Sequence, residues 1–179
     1  MDWNRPAAAE DEATRLRRRD PATLLGLLSE YQHRLFGYLV HLVRDPVAAE
    51  DLFQQTWLRV IENAGSYDGR RFDAWLFAIA HNLAMDDLRR RRPEALDESG
   101  IHFADPGPDA LERCLAEERS RSVRAAAVRL PAVYREVLAL RFEQGLKLET
   151  IAEVVGAPLS TVKSRLRRGL EALRKELQA

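Results

Sequence analysis

Cysteine is nearly missing from this chain: Cys114 is the single one in 179 residues. An internal disulfide is therefore excluded, and a reducing compartment, the cytoplasm, is expected. No early apolar run resembles a secretion signal, and none is long enough to cross a bilayer, so membrane insertion is not expected. The sequence has no phosphate-cradling Gly-rich loop and no nucleophile elbow. No two of the four histidines (His33, His41, His81, His102) stand i, i+4 from each other, so no His pair with a carboxylate partner is formed. A single cysteine cannot build a zinc site, so no metal or other cofactor is expected. With no catalytic constellation, an enzyme is disfavoured. Apolar–polar alternation of the kind that marks strands is also lacking, which leaves an all-α fold.

Aromatic residues make up only 7% of the chain, yet Trp57, Phe72, Trp75 and Phe77 fall close together. With 46% apolar and 31% charged residues the composition is globular. The formal net charge is zero, but its distribution is not even. Residues 1–92 carry 14 basic and 14 acidic side chains, residues 93–122 carry 3 and 8, and residues 123–179 carry 11 and 6. A neutral half, an acidic connector and a basic half imply two modules on a tether.

Residues 1–20 are polar and read as a loose tail or a fraying helix start. Pro21 opens a long helix ending near Arg44, with Leu24, Leu25, Leu28, Tyr31, Leu35, Leu39 and Leu42 at three- and four-residue spacing. Asp45-Pro46 is a restart, Asp as N-cap and Pro at the first helical position. The helix that follows runs to about Ala64, with Val47, Leu52 or Phe53, Val60 and Ile61 able to face a core. Glu50, Asp51, Gln54 and Gln55 form a polar, acidic patch on it. Gly65 to Arg71 (GSYDGRR) is a loop with two arginines.

Then FDAWLFAIAHNLAMDDLRRRR begins another helix, ending in four consecutive arginines, Arg89 to Arg92. Cations at a helix C-terminus suit the macrodipole, which accounts for part of that run. An arginine loop feeding an aromatic-rich, Asn-bearing, Arg-ending helix is also what a platform for single-stranded nucleic acid requires. Pro93 ends the helix, and an acidic Pro/Gly-containing linker follows. Helical pattern resumes from Asp109 through Leu130. Pro131 starts a helix with Val133, Val137 and Leu140 as its stripe.

Leu148 to Leu177 is the most telling stretch: helix, sharp turn, helix. Gly156 can take the positive φ at a helix C-terminus, and Pro158 stops the first helix. Ser160 or Thr161 is the expected N-cap of the second. Leu159, Val162, Leu166, Leu170, Leu173 and Leu177 form its apolar stripe. Ser160, Ser164, Arg167 and Arg168 point away from that stripe, flanked by Lys163 and Arg165. Pro158 to Lys175 holds six basic residues against one acidic, Glu171. Small hydroxyls let such a helix approach a major groove closely, and arginines reach guanine edges or phosphates.

The two basic segments, in this order and at this size, resemble the extracytoplasmic-function (ECF) group of the sigma-70 family of bacterial RNA polymerase sigma factors. The likeness covers roughly Pro21 to Leu177. AEDLFQQTWLRV (Ala49 to Val60) is similar to the family segment that docks on the clamp of the largest core polymerase subunits. FDAWLFAIAHNLAMDDLRRRR is similar to the segments that melt and read the −10 element, and TVKSRLRRG (Thr161 to Gly169) to the helix that reads the −35 element. The resemblance implies two helical domains joined by an acidic linker. It divides the chain into a tail (1–20), sigma region 2 (21–92), a linker (93–115) and a region 4 helix-turn-helix (116–179).

It further implies that Asp51, Gln54 and Gln55 contact core polymerase. Arg71, Trp75, His81, Asn82, Asp86, Arg89 and Arg90 would handle the −10 non-template strand, with Asn82 and the loop Gly65 to Arg71 forming a pocket for a flipped base. Ser160, Thr161, Lys163, Ser164, Arg167 and Arg168 would face the −35 duplex. Members are commonly held inactive by an anti-sigma factor. His81, Thr150 and Gly169 depart from common family residues, which leaves base preference open. Two rivals remain: a regulator with a LuxR-type helix-turn-helix behind a sensory domain, and a protein-interaction module that only binds polymerase.

Overall fold

A computed structural model of the chain describes residues 11–90, 122, 123 and 125–178. The acidic linker, Arg91, Arg92 and residues 1–10 of the expected tail lie outside them. The described residues are helical, with no strand among them. They belong to two compact units, the first built mainly from residues up to Arg90 and the second mainly from the residues after it.

The first unit contains α1 (Glu12–Arg17), α2 (Pro21–Val43), α3 (Pro46–Asn63), a short 3-10 turn (Ala64–Ser66) and α4 (Phe72–Arg90). Local chemistry accounts for most of these boundaries. The Asp20 carboxylate accepts from Thr23 N–H at 2.9 Å and from the Thr23 hydroxyl at 2.8 Å, and Pro21 follows at the first helical position. The Asp45 carboxylate accepts from Val47 and Ala48 N–H, again with Pro next in line. The hydrogen bonds to Thr23 hold the Asp20 carboxyl below its ordinary pKa.

Helices α2, α3 and α4 pack against one another. Leu35, Tyr38 and Leu39 of α2, Ala49 and Val60 of α3, and Leu76, Phe77, Ala80 and Ala84 of α4 are fully buried. The alanines let the helix axes approach closely, and Tyr38 meets Phe77 edge-on at 5.3 Å.

Several expectations are corrected here. Within residues 1–20, where the sequence allows a loose tail or a fraying helix start, residues 12–17 form α1, capped by the Asp11 carboxylate accepting from Thr14 N–H at 2.8 Å. Its Leu16 is only 1% exposed. Leu25 of the α2 stripe and Val47 and Ile61 of the expected α3 core face are exposed. At about 100° per residue Leu25 falls at the rim of the buried arc of α2, while Val47 and Ile61 point away from Leu52 on α3.

The second unit contains helical residues 125–128, then α5 (Ala132–Leu138), which widens into a π-type turn (Ala139–Glu143), α6 (Leu148–Val154) and α7 (Leu159–Gln178). Its core includes Val137, Leu140, Ile151 and Val162. Arg135, 7% exposed, donates through one guanidinium nitrogen to the carbonyls of Val128 and Leu130, both at 3.2 Å. This fixes the entry to α5. Gly156 takes φ +58° after α6, as its place in the sequence implies. The expected N-cap at Ser160 or Thr161 is not there. Helix α7 begins at Leu159, with Val162 N–H bonded to Pro158 C=O at 3.1 Å, so both hydroxyls sit inside the first turn. Val133, Leu170 and Leu177, assigned to apolar stripes, are exposed.

Candidate nucleic-acid interface

Three surfaces carry the residues singled out above. The first is the outer face of α3. Asp51, Gln54 and Gln55 are all exposed. At about 100° per residue, Val47 and Leu58 fall on the same face. They are 71% and 58% exposed, so the polar patch is bracketed by two apolar side chains that the first unit leaves uncovered. The sequence pattern puts Val47 on the core face and does not single out Leu58.

The second surface is α4 and the loop before it. Trp75, Asn82, Asp86 and Arg89 fall within roughly 60° of one another around the helix, so they form one stripe. His81 stands off it by about 100° and is half-buried. Trp75 is half-buried in an aromatic cluster, 5.0 Å from Tyr67 and 5.9 Å from Phe72 between ring centroids. Tyr31 meets Phe72 at 5.3 Å. Burial raises the Tyr67 phenol above its ordinary pKa and pushes Tyr31 up to about 12.

Asn82 is exposed. Asp86 accepts from the Arg89 guanidinium at 2.5 Å, and Arg89 and Arg90 also donate to the carbonyls of Met85 and Asp86. These arginines are thus folded back on the end of α4, where the helix dipole favours them. Arg71 is exposed and directly precedes α4, its carbonyl accepting from Trp75 N–H. The loop is built from glycine at Gly69, with φ +83°, and an Asp68 carboxylate that accepts from Arg70 N–H at 3.0 Å.

The third surface is the N-terminal half of α7. Ser160, Lys163, Arg167 and Arg168 are exposed, and Thr161 and Ser164 half-buried. Ser160, Thr161, Ser164, Arg165 and Arg168 line a shallow cleft of about 400 Å³ whose other wall is Val133 and Tyr134 of α5. Arg167 lies 3.7 Å from Glu171 one turn on. The groove wall from α5 was not foreseen, because Val133 reads as stripe. Gly169 is buried where α7 crosses α5: a Cβ there would lie 3.2 Å from Leu138 Cδ1 and 3.3 Å from Tyr134 Cβ. Thr150 is also buried, at 3% exposure. No cluster of metal ligands occurs among the described residues, and no described helix is long and apolar enough to cross a membrane.

The arrangement is a helical unit with an aromatic, arginine-flanked loop, followed by a helix-turn-helix with a one-sided cationic face. Residues 27–94 match the family model for sigma-70 region 2, and residues 120–173 match that for sigma-70 region 4. The chain is 29% identical to the ECF RNA polymerase sigma factor SigW of Bacillus subtilis, over 89% of this chain and 91% of that one. It is 33% identical to the RNA polymerase sigma-H factor of Pseudomonas aeruginosa, over 92% and 91% respectively. Among solved structures, the sigma factor RpoE of Bartonella quintana, crystallised with the anti-sigma factor NepR, superposes with a TM-score of 0.69 at 25% identity, covering 86% of this chain and 98% of that one. The chain belongs to the ECF sigma factors of RNA polymerase.

Proposed function

We propose that this sigma factor binds core RNA polymerase through the outer face of α3, reads the −35 duplex with α7, and holds bases of the −10 non-template strand between the 65–71 loop and α4. The observation that carries this reading is the pairing, in one chain and in this order, of region 2 and region 4 matches with two cation-bearing helical surfaces. Asp51, Gln54 and Gln55, with Val47 and Leu58 beside them, form the polymerase-docking face. Ser160, Thr161, Lys163, Ser164, Arg167 and Arg168 face the −35 element. Asn82 and the loop form the base pocket, with Arg71, Trp75, His81, Asp86, Arg89 and Arg90 around it.

The energetics follow from this assignment. Extruding a base costs a few kcal/mol, and the sequence has no phosphate-binding Gly-rich loop that would couple the work to a nucleotide. Binding must therefore drive strand opening, and each captured base returns roughly 1–3 kcal/mol by stacking and contact. Two weak modules become effective together because the linker and the polymerase raise their local concentration on one promoter. The relative solved with NepR supports control by an anti-sigma factor, and co-purification of the native protein tests that point.

The decisive experiment is run-off transcription with purified core polymerase on a promoter library. Selective initiation above core enzyme alone is expected, and its absence would overturn the assignment. Within that assay Asn82→Ala impairs open-complex formation, read by permanganate reactivity, more than closed-complex binding, read by gel shift. Equal loss of both would remove Asn82 from the pocket. Arg168→Ala weakens −35 binding by about 1–3 kcal/mol if its guanidinium reaches a base, and an unchanged footprint would exclude that role.

A further inference from the structure

The turn that closes α1 has the same hydrogen-bond pattern as the turn that closes α6, but with a different residue at its strained position. After α6, Gly156 N–H donates to Glu153 C=O and Ala157 N–H to Ala152 C=O, with Gly156 at φ +58°. After α1, Arg19 N–H donates to Leu16 C=O at 2.8 Å and Asp20 N–H to Arg15 C=O at 3.0 Å, with Arg19 also at φ +58°. This position favours glycine, because a Cβ crowds the backbone in the left-handed region. An arginine held there against its backbone preference points to a use for its side chain.

The use is visible. Arg19 Nε donates to Ile61 C=O at 2.9 Å, and its Nη2 donates to Glu62 C=O at 3.2 Å. Both carbonyls belong to the last turn of α3, which has no intrahelical donors left to offer them. A planar guanidinium fork suits two adjacent carbonyls, and its charge suits the negative end of the helix. Arg17 reaches further along: its Nη1 donates to Tyr67 C=O at 3.2 Å, while Nη2 is steadied by the Thr14 hydroxyl at 3.1 Å. Beside them the loop backbone comes close to α1, since a Cβ built on Gly69 would lie 3.1 Å from Ala13 Cβ. A helix of six residues is too short to hold itself together. The bonds of Arg19 and Arg17 go to the end of α3 (Ile61, Glu62) and to the middle of the segment before α4 (Tyr67), with Gly69 in close approach beside them.

We propose that α1 is a positioning element for the 65–71 loop, acting through Arg19 and Arg17, and that it sets how readily the loop adopts the conformation that accepts an extruded base. This rests on the assignment of that loop to the −10 strand. Neither arginine touches DNA in this scheme; they act through the backbone of the loop.

The test uses the full chain, free and in holoenzyme, with Arg19→Gly as the main variant. Glycine suits φ +58°, so the turn survives while the guanidinium bonds are lost. Amides of residues 64–71 should exchange with solvent about tenfold faster, with those of α2 to α4 unchanged. Affinity for core polymerase and closed-complex binding should hold, while promoter opening by permanganate reactivity falls about five- to tenfold. Arg19→Lys, which keeps the charge and a single donor nitrogen but not the planar fork, should recover part of the loss. Normal opening in Arg19→Gly beside a defective Asn82→Ala would overturn the brace and leave the base pocket standing. Normal opening in both would overturn the pocket and the brace with it. Cooperative loss of the first unit in Arg19→Gly, seen by tryptophan fluorescence, would overturn the proposal as well, because α1 would then be core rather than brace.

Discussion

Gly169 is where the stability of the second unit and the aim of its cationic face meet, and it offers a quantitative test of the packing. The residue is buried at the crossing of α7 and α5, and it directly follows Arg168. An added Cβ would stand 3.2 Å from Leu138 Cδ1, 3.3 Å from Tyr134 Cβ and 3.4 Å from Leu138 Cγ. The first of these is the end of a flexible side chain and can move; the second is tied to backbone and cannot. Two opposing terms decide the alanine variant. Alanine gains about 1 kcal/mol of helix propensity over glycine, and overpacking costs about 1–3 kcal/mol. Gly169→Ala should thus fall between neutral and about 2 kcal/mol destabilised.

Gly169→Val adds two methyl groups at the same contact and loses part of the propensity gain, so about 2–4 kcal/mol of destabilisation is expected. Trp57 and Trp75 lie in α3 and α4, and residues 91–179 hold no tryptophan, so tryptophan fluorescence does not report the second unit. The fluorescence transition should not move. The loss should appear in amide exchange of α5 and α7, and in weaker binding of −35 duplex by the holoenzyme. A valine variant with native exchange protection in α5 and α7 would refute the close crossing.

Other outcomes follow from exposure and ionisation. Leu58 is 58% exposed on the α3 face, so Leu58→Glu should leave stability within about 0.5 kcal/mol. It should weaken core polymerase binding by about tenfold or more if the residue sits inside the docking face; unchanged affinity would place that face elsewhere. Tyr31 and Tyr67 should titrate late in an ultraviolet difference titration, Tyr31 near 12. Because folding favours their neutral phenols, the stability they contribute is complete below the free-tyrosine pKa of about 10 and is lost as pH rises through their raised values, for Tyr31 about 12. A Tyr31→Phe variant that keeps the late component in full would contradict the assignment to Tyr31.

Much of this protein was decided by chemistry local in the chain. Asp20-Pro21 and Asp45-Pro46 start their helices wherever they are placed, because cap and ring constraint act within four residues. Gly156 breaks α6 from α7 for the same reason, and the one-sided cations of α7 follow from residue order alone. Tertiary structure decided which part of each apolar arc is covered. Val133 carries the same periodic signature as its buried neighbours Val137 and Leu140, and only the absence of a packed helix opposite leaves it exposed. It also decided the fate of residues 12–19. Nothing in a run of arginines tells that two of them reach carbonyls 42 to 50 positions away. That bond pattern exists only once α3 has ended beside α1, with its last carbonyls in need of donors.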